Sequence, residues 1–210
     1  EFGQTILYDL EIKDPAQIYG GLITVLLRLV FLLYSEDEEL MPIDSIYAEN
    51  YSVIRLAAKL RQDRSNFQGA MNTRYGAWAS LLSLFRLVFD GGGPNQDYLP
   101  ARHGELFDPN NYPFLEGRDQ NNNSEKILLK NIPLISDDVV EKVLSKLLIL
   151  DGQLLSYRSL DVEQIGSVYE GIMGFTVERT DKECVGISYR PPKEKISITF
   201  VFEIDEFLSK

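Results

Sequence analysis

Cysteine and histidine are almost missing from this 210-residue chain, which has one of each, Cys184 and His103. A lone cysteine closes no internal disulfide, and one cysteine beside one histidine makes no zinc-type ligand set. The fold must therefore rest on apolar burial, and 44% hydrophobic residues in a chain of domain size suffice for an ordinary core. Positive charge is scarce too, since 21 Lys and Arg against 32 Asp and Glu leave a net charge of -11. That balance excludes a whole-surface affinity for nucleic acid, while a basic patch inside the acidic chain stays allowed. The cysteine usage fits a reducing, cytoplasmic setting. No methionine opens the chain, which begins Glu1-Phe2-Gly3 and reads as a piece of something longer.

One long apolar run is present, residues 18–34, with Arg28 as its single charge. At about 17 residues it stands at the lower limit for a bilayer span. Its flanks are Asp14 on one side and Glu36-Asp37-Glu38-Glu39 on the other, with no Lys/Arg cluster to orient a span or open a signal peptide. Helices that are apolar all round belong in interiors. A helix buried in a soluble core is therefore expected, with Asp14 as N-cap and Pro15 in the first turn. No membrane partner is expected.

Helical periodicity marks the body. Val53, Ile54, Ala57 and Leu60 recur at helical spacing within the charged stretch 51–64. Trp78, Leu81, Leu82, Phe85, Val88 and Phe89 do so over 75–89, and Gly91-Gly92-Gly93-Pro94 stops that helix. A long ordered loop follows over 94–124, with a mobile tip expected at 119–124. Its Leu99, Leu106, Phe107, Tyr112, Phe114 and Leu115 place it across the core. Ser136 caps the next helix, whose first turn holds Asp137 and Asp138 at the positive end of the dipole. Val140, Val143, Leu144, Leu147 and Leu148 form its buried stripe. Another helix starts at Asp161, with Gln164 completing a capping box and Ile165, Val168, Tyr169, Ile172 and Met173 on one face before Gly174.

Beyond 174 the period changes to two. Ile196, Ile198, Phe200, Phe202 and Ile204 alternate with Ser197, Thr199, Val201, Glu203 and Asp205. Residues 175–180 and 185–190 are further strand candidates, joined by turns at 180–183 and 191–194. The fold class is α+β, mainly α: a helical bundle-like body with a small C-terminal antiparallel β-meander. The expected organisation is a helical domain over 1–174 containing the loop 94–124, with a small antiparallel β element over 175–210 in the same domain.

Charge is uneven along this frame. Between Ser52 and Arg74 the basic residues Arg55, Lys59, Arg61, Arg64 and Arg74 face only Asp63, an excess of +4 (five minus one). Two readings stand open: a solvated helix face paired with acids elsewhere, or a patch on DNA phosphates. Glu36 and Asp37 either neutralise arginines inside the core or form an exposed acidic helix end. Gly166 and Gly171 cost helix stability, which a tight packing contact would explain.

Three stretches carry a family resemblance. LRLVFLLYSED at 27–37 resembles the RLLFLLYAED helix of large restriction-modification DNA adenine-N6 methyltransferases, including those of the BREX and DISARM phage-defence kind. GELFDP at 104–109, followed by YPFL at 112–115, is similar to their G-L-F-D-P … F-L loop. LDVEQIGSVYEG at 160–171 is similar to the LDVEHIGSVYEGLL helix that precedes their cofactor-binding domain. Order and spacing agree over roughly residues 20–175.

The resemblance implies a parent enzyme that methylates adenine in double-stranded DNA with S-adenosylmethionine. Such a catalytic domain uses a Gly-containing loop after a strand for the cofactor and an Asn-Pro-Pro-Tyr type motif for the flipped base. Neither motif is here: Gly91 to Gly93 follow a helix, and the only Pro-Pro pair reads Arg190-Pro191-Pro192-Lys193. Glu11-Ile12-Lys13 matches the short end of a nuclease signature, but no strand and acid precede it at the needed distance. The chain is expected to be a bacterial, cytoplasmic, non-catalytic connector or spacer that supports DNA binding and domain arrangement, with no catalytic, cofactor-binding or metal-binding residues of its own. Arg55, Lys59, Arg61 and Arg64 are its candidate DNA-phosphate contacts. Gly166, Tyr169 and Glu170 are candidates for packing against an adjacent methyltransferase domain. The alternative is a free-standing protein-interaction module without an enzymatic parent, using the aromatic-rich loop at 98–115. Calorimetric titration of the isolated chain with S-adenosylmethionine is expected to give no heat of binding. A micromolar dissociation constant would reveal a cofactor site that these motifs do not describe.

Overall fold

The computed structural model describes residues 14–67, 69–93, 98–118, 132–159, 163–164, 166–167, 180, 182–189 and 198–205. They are mainly helical, with a small antiparallel sheet near the C-terminal end, in line with the periodicities. The chain divides into two compact units, Glu1–Val177 and Glu178–Lys210.

Helix α1, Pro15–Asp37, starts where Asp14 accepts the Gln17 N–H at 3.2 Å and Pro15 needs no donor of its own. It is long and apolar enough to cross a bilayer, with a mean hydropathy of 1.9 over its most apolar window. Leu22 and Phe31 on this helix stay exposed, while its Leu29, Leu32 and Leu33 are fully enclosed in the core. Each such side chain contributes about 1.5–3 kcal/mol on burial. Around it stand α2, Ser45–Asn50, α3, Val53–Asn66, α4, Gly76–Asp90, and α5, Asp137–Leu148. Val53, Ala57 and Leu60 bury one stripe of α3, and Val140, Leu144 and Leu148 bury one stripe of α5. Trp78, Leu81, Leu84, Phe85 and Val88 do the same for α4.

The loop from Tyr98 to Arg118 is pinned across this body. Gly91, at φ 78°, ends α4 where an added Cβ would stand 2.7 Å from the Ala101 backbone nitrogen, so the returning chain needs a glycine there. Leu99, Phe107, Phe114 and Leu115 are buried. Phe107 meets Phe31 and Phe85 edge-on, with ring centroids 5.6 and 6.0 Å away. Tyr112 and Phe114 lie on Gly20 and Gly21 of α1, where side chains would come within 2.6 Å of the Tyr112 hydroxyl and 2.5 Å of the Phe114 ring.

Arg28, only 3% exposed, ties that loop to two helices. Its Nε donates to the Leu106 carbonyl at 2.7 Å and its Nη2 to the Asp108 carbonyl at 3.2 Å. The guanidinium lies 5.2 Å from the Phe85 ring centroid and 5.7 Å from that of Phe107. Burial pulls its pKa down to about 10, against the upward pull of Glu116 and Asp108, so it stays charged at neutral pH. Nearby, Glu116 accepts two bonds from Arg86, at 2.6 and 2.7 Å, and one from Arg118 at 3.0 Å.

After α5 the chain makes a hairpin that the periodicities do not announce. Strands β1, Ile149–Leu150, and β2, Gln153–Leu154, pair around Asp151 and Gly152, which sit at φ 51° and 78°. Positive φ at both turn residues is the geometry that Asp-Gly favours. Of the helix expected over 161–173, Glu163, Gln164, Gly166 and Ser167 are helical, and the Ser167 hydroxyl donates to the Glu163 carbonyl at 3.0 Å. The rest of that helix, the loop tip at 119–124 and the strand expected over 175–180 lie outside the described residues.

In the second unit β3, Cys184–Tyr189, pairs antiparallel with β4, Ile198–Glu203. The register sets Val185 and Ile187 opposite Phe202 and Phe200, so these two pairs put apolar residues on one face of the hairpin, and Tyr189 pairs with Ile198. Among the described residues the expected meander is this two-stranded sheet.

Replacing Arg28 by Ala should lower stability by about 2–4 kcal/mol, through lost packing and two carbonyls left without donors. Arg28→Lys should cost less but still measurably, because an ammonium lacks the fork that spans both carbonyls. Urea unfolding followed by circular dichroism measures both, and an unchanged midpoint for Arg28→Ala would contradict the role assigned to this side chain.

Candidate nucleic-acid interface

Helix α3 carries the basic residues, and its first turn is held from outside. Ser52 caps it locally, accepting the Arg55 N–H at 3.2 Å. Glu36, from the end of α1, accepts the Val53 N–H at 2.7 Å, the Ile54 N–H at 3.2 Å and the Ser52 hydroxyl at 2.8 Å. It also accepts the Tyr47 hydroxyl at 3.0 Å, and burial beside that carboxylate pushes the Tyr47 phenol well above its ordinary range. Neither expected role for the acidic end of α1 is the one it plays. Glu36 caps α3, and Asp37 accepts the Tyr157 N–H at 2.6 Å and the Ser156 hydroxyl at 3.2 Å. Both are acceptors for backbone elsewhere in the fold.

With its apolar stripe facing α1, α3 distributes its cations in two directions. Arg64 points to α5, where it meets Asp138 at 2.9 Å and Glu141 at 2.5 Å. Arg74 reaches Asp63 at 2.9 Å and Asp137 at 3.6 Å. Asp137, 2% exposed, also accepts the Ala77 N–H at 2.8 Å and so caps α4 rather than only its own helix. Arg64, one of the DNA-phosphate candidates, is thus ion-paired to the acids of α5 while its side chain stays 36% exposed. Arg55, Lys59 and Arg61 are exposed and make no ion pair among the described residues.

Arg55 and Lys59, one turn apart, line a cleft of about 260 Å³ between the end of α2, the start of α3 and α4. Glu49, Asn50, Tyr51, Ser52 and Ser80 complete its polar lining, with Leu56 and Leu81 as apolar lining. The Asn50 amide donates to the Ile46 carbonyl and the Ser80 hydroxyl to the Gly76 carbonyl, which leaves the two cations and the Tyr51 hydroxyl as donors without a partner among the described residues. Sequence spacing finds Arg55 and Lys59 but not Asn50 or Ser80, which tertiary packing brings to them.

The other candidate positions are placed as follows. An added Cβ at Gly166 would meet nothing within 4 Å, so the tight contact expected there is not made among the described residues. Tyr169, Glu170 and Gly171 lie outside them. Among the described residues no three His, Cys, Asp or Glu side chains gather where they could hold a metal ion. His103 stands edge-on to Phe89 at 5.1 Å, and Cys184 is exposed on β3. In loop 98–115 Phe107 and Phe114 are buried and Tyr98 and Tyr112 pack against the core, so the aromatic rings of the interaction-module reading are largely spent. No family model, curated protein or solved structure matches the chain.

The Asp138 carboxylate, held first by Lys142 of its own helix and then by Arg64 of α3, carries a pH signature. Hydrogen bonding to Lys142, together with the charges of Lys142 and Arg64, holds the Asp138 carboxyl below its ordinary value of 3.8. A depressed folded value means that the stabilisation is present above 3.8 and is lost as pH falls through the lower folded value. Trp78, the single tryptophan, lines a groove together with Val139, Val140 and Val143 of α5, so its emission reports the docking of that helix. Acid titration should shift Trp78 emission below that value, and Asp138→Asn should shrink the part of the transition that depends on this pair.

Proposed function

We propose that the chain is a non-catalytic connector of an S-adenosylmethionine-dependent DNA adenine-N6 methyltransferase of the restriction-modification and phage-defence kind. In this reading it holds neighbouring domains in place and touches double-stranded DNA through α3, while the cofactor and the adenine are handled elsewhere in the parent. It works in the bacterial cytoplasm.

The observation that supports this most is where the resemblance falls. Two of its three stretches, 27–37 and 104–115, lie far apart in sequence and meet in space. Arg28 of the first donates to the Leu106 and Asp108 carbonyls of the second, and Phe31 of the first meets Phe107 of the second. Leu29, Leu32, Leu33, Phe114 and Leu115 from the same stretches are core. A likeness concentrated on mutually packing residues is what a shared scaffold produces. Residues that perform chemistry would instead line an open site. Arg55, Lys59 and Arg61, which make no ion pair among the described residues, give such a scaffold a means of touching phosphate without reading bases.

The test is the full reading frame and its product. A Gly-containing cofactor loop and an Asn-Pro-Pro-Tyr motif are expected after Lys210. The full-length protein should transfer labelled methyl groups from S-adenosylmethionine to adenine N6 in duplex DNA. A reading frame without those motifs, and a product without methyl transfer, would return the chain to the class of free-standing modules.

A further inference from the structure

We propose that the cleft between α2, α3 and α4 is a seat for one phosphodiester group of a nucleic-acid backbone, held jointly by Arg55 and Lys59. This deepens the connector reading and rests on it for the identity of the partner, but the seat follows from the cleft itself. Four features lead to it.

The first is commitment. Of the five basic residues clustered between Ser52 and Arg74, Arg64 and Arg74 are consumed by Asp138, Glu141, Asp63 and Asp137. Arg55 and Lys59 have no such partner among the described residues. The second is convergence. Residues four apart on a helix present side chains on one face, with Cβ atoms about 5–6 Å apart, and both line the same cleft. Arg61, three residues before Arg64, does not line it.

The third is size. A cleft of about 260 Å³ has ample room for a phosphodiester with its flanking ester oxygens. The fourth is polarity. The neighbouring donors of Asn50 and Ser80 are engaged by helix carbonyls, which leaves the two cations as the charged binding groups, with the Tyr51 hydroxyl beside them. Arg55 offers a planar fork and Lys59 a point charge, so together they can bracket one anion. Glu49 in the same lining opposes this and keeps the seat weak for a free anion. A polynucleotide presents its phosphates at high local concentration, which lets a weak seat contribute.

A joint seat predicts non-additivity. Anisotropy of a labelled DNA duplex is measured with the 210-residue chain at a series of low salt concentrations, for wild type, Arg55→Gln, Lys59→Gln and the double variant, with circular dichroism as folding control. Loss of one phosphate contact flattens the log–log salt slope by roughly 0.9. Each single variant should lose most of that amount, and the double variant little more.

Additive losses, approaching roughly 1.8 in the double variant, would make the two residues independent surface charges and overturn the seat. An unchanged slope would overturn it as well, and so would a wild-type chain that binds no duplex. Inorganic phosphate forms the second arm, compared with chloride at equal ionic strength. Displacement of the duplex by phosphate far beyond that by chloride would show a site for the free ion instead. These outcomes are separable from the connector reading. A parent with methyl-transfer activity but additive slopes loses only the seat, and a non-additive duplex contact in a protein without methyl transfer loses only the connector.

Discussion

A buried guanidinium that finds no carboxylate sets the terms for the rest of the helical unit. Arg28 sits inside α1, where the surrounding sequence is otherwise apolar, and taking a cation out of water costs several kcal/mol unless its donors are satisfied. The partners it finds are two backbone carbonyls and two aromatic faces. Those carbonyls belong to residues 106 and 108, so the charge can be buried only if the loop lies where it does. The dependence runs the other way as well. A segment with little regular structure needs acceptors and donors for its own backbone, and Arg28 supplies two of the donors. Phe107 packs between Phe31 and Phe85 beside it. Glu116 binds Arg86 of α4 and Arg118 of the loop, closing the far end of the same strap.

A second constraint is that helix starts are satisfied across the fold rather than within each helix. The first N–H groups of a helix have no partner inside it. At α3 Glu36 takes two of them, and at α4 Asp137 takes one. Asp37 does the same for the turn at Tyr157. Each carboxylate is drawn to the positive end of a foreign dipole, which offsets the poor placement of Glu36 and Asp37 at the negative end of their own helix. Part of the acidic character of the chain is therefore structural.

This explains what was legible in the sequence and what was not. Helices α3, α4 and α5 were readable because each buries a stripe at spacings of three and four, and α1 because it is apolar nearly all round, with Asp14, Ser136 and Gly91 marking ends. The loop's burial was readable from its apolar residues. The partners of Arg28, Glu36 and Arg64 were not, because each lies at least eleven residues away (Glu36 to Tyr47) and no local pattern encodes such a distance. The hairpin at Asp151-Gly152 could have been found, since Asp-Gly between Leu150 and Leu154 is a turn signal. Its strands are two residues each, too short for alternation to register. At the candidate interface the sequence offered five similar cations, and only packing separates those bound to α5 from those facing the cleft.

That separation also settles how a chain with a net charge of -11 can present a cationic site. A ligand in solution feels charges within about a Debye length, roughly 8 Å at physiological salt. The formal total is therefore the wrong quantity; the local one counts. The acids nearest to α3 are largely spoken for. Asp63, Asp137, Asp138 and Glu141 face Arg64, Arg74 and Lys142. Glu36 is turned inward onto N–H groups. At the cleft this leaves Glu49 against Arg55 and Lys59, a local balance of plus one (two minus one). The same acids that lower the total charge pair with Arg64 and Arg74, which leaves Arg55 and Lys59 as the cations of the cleft.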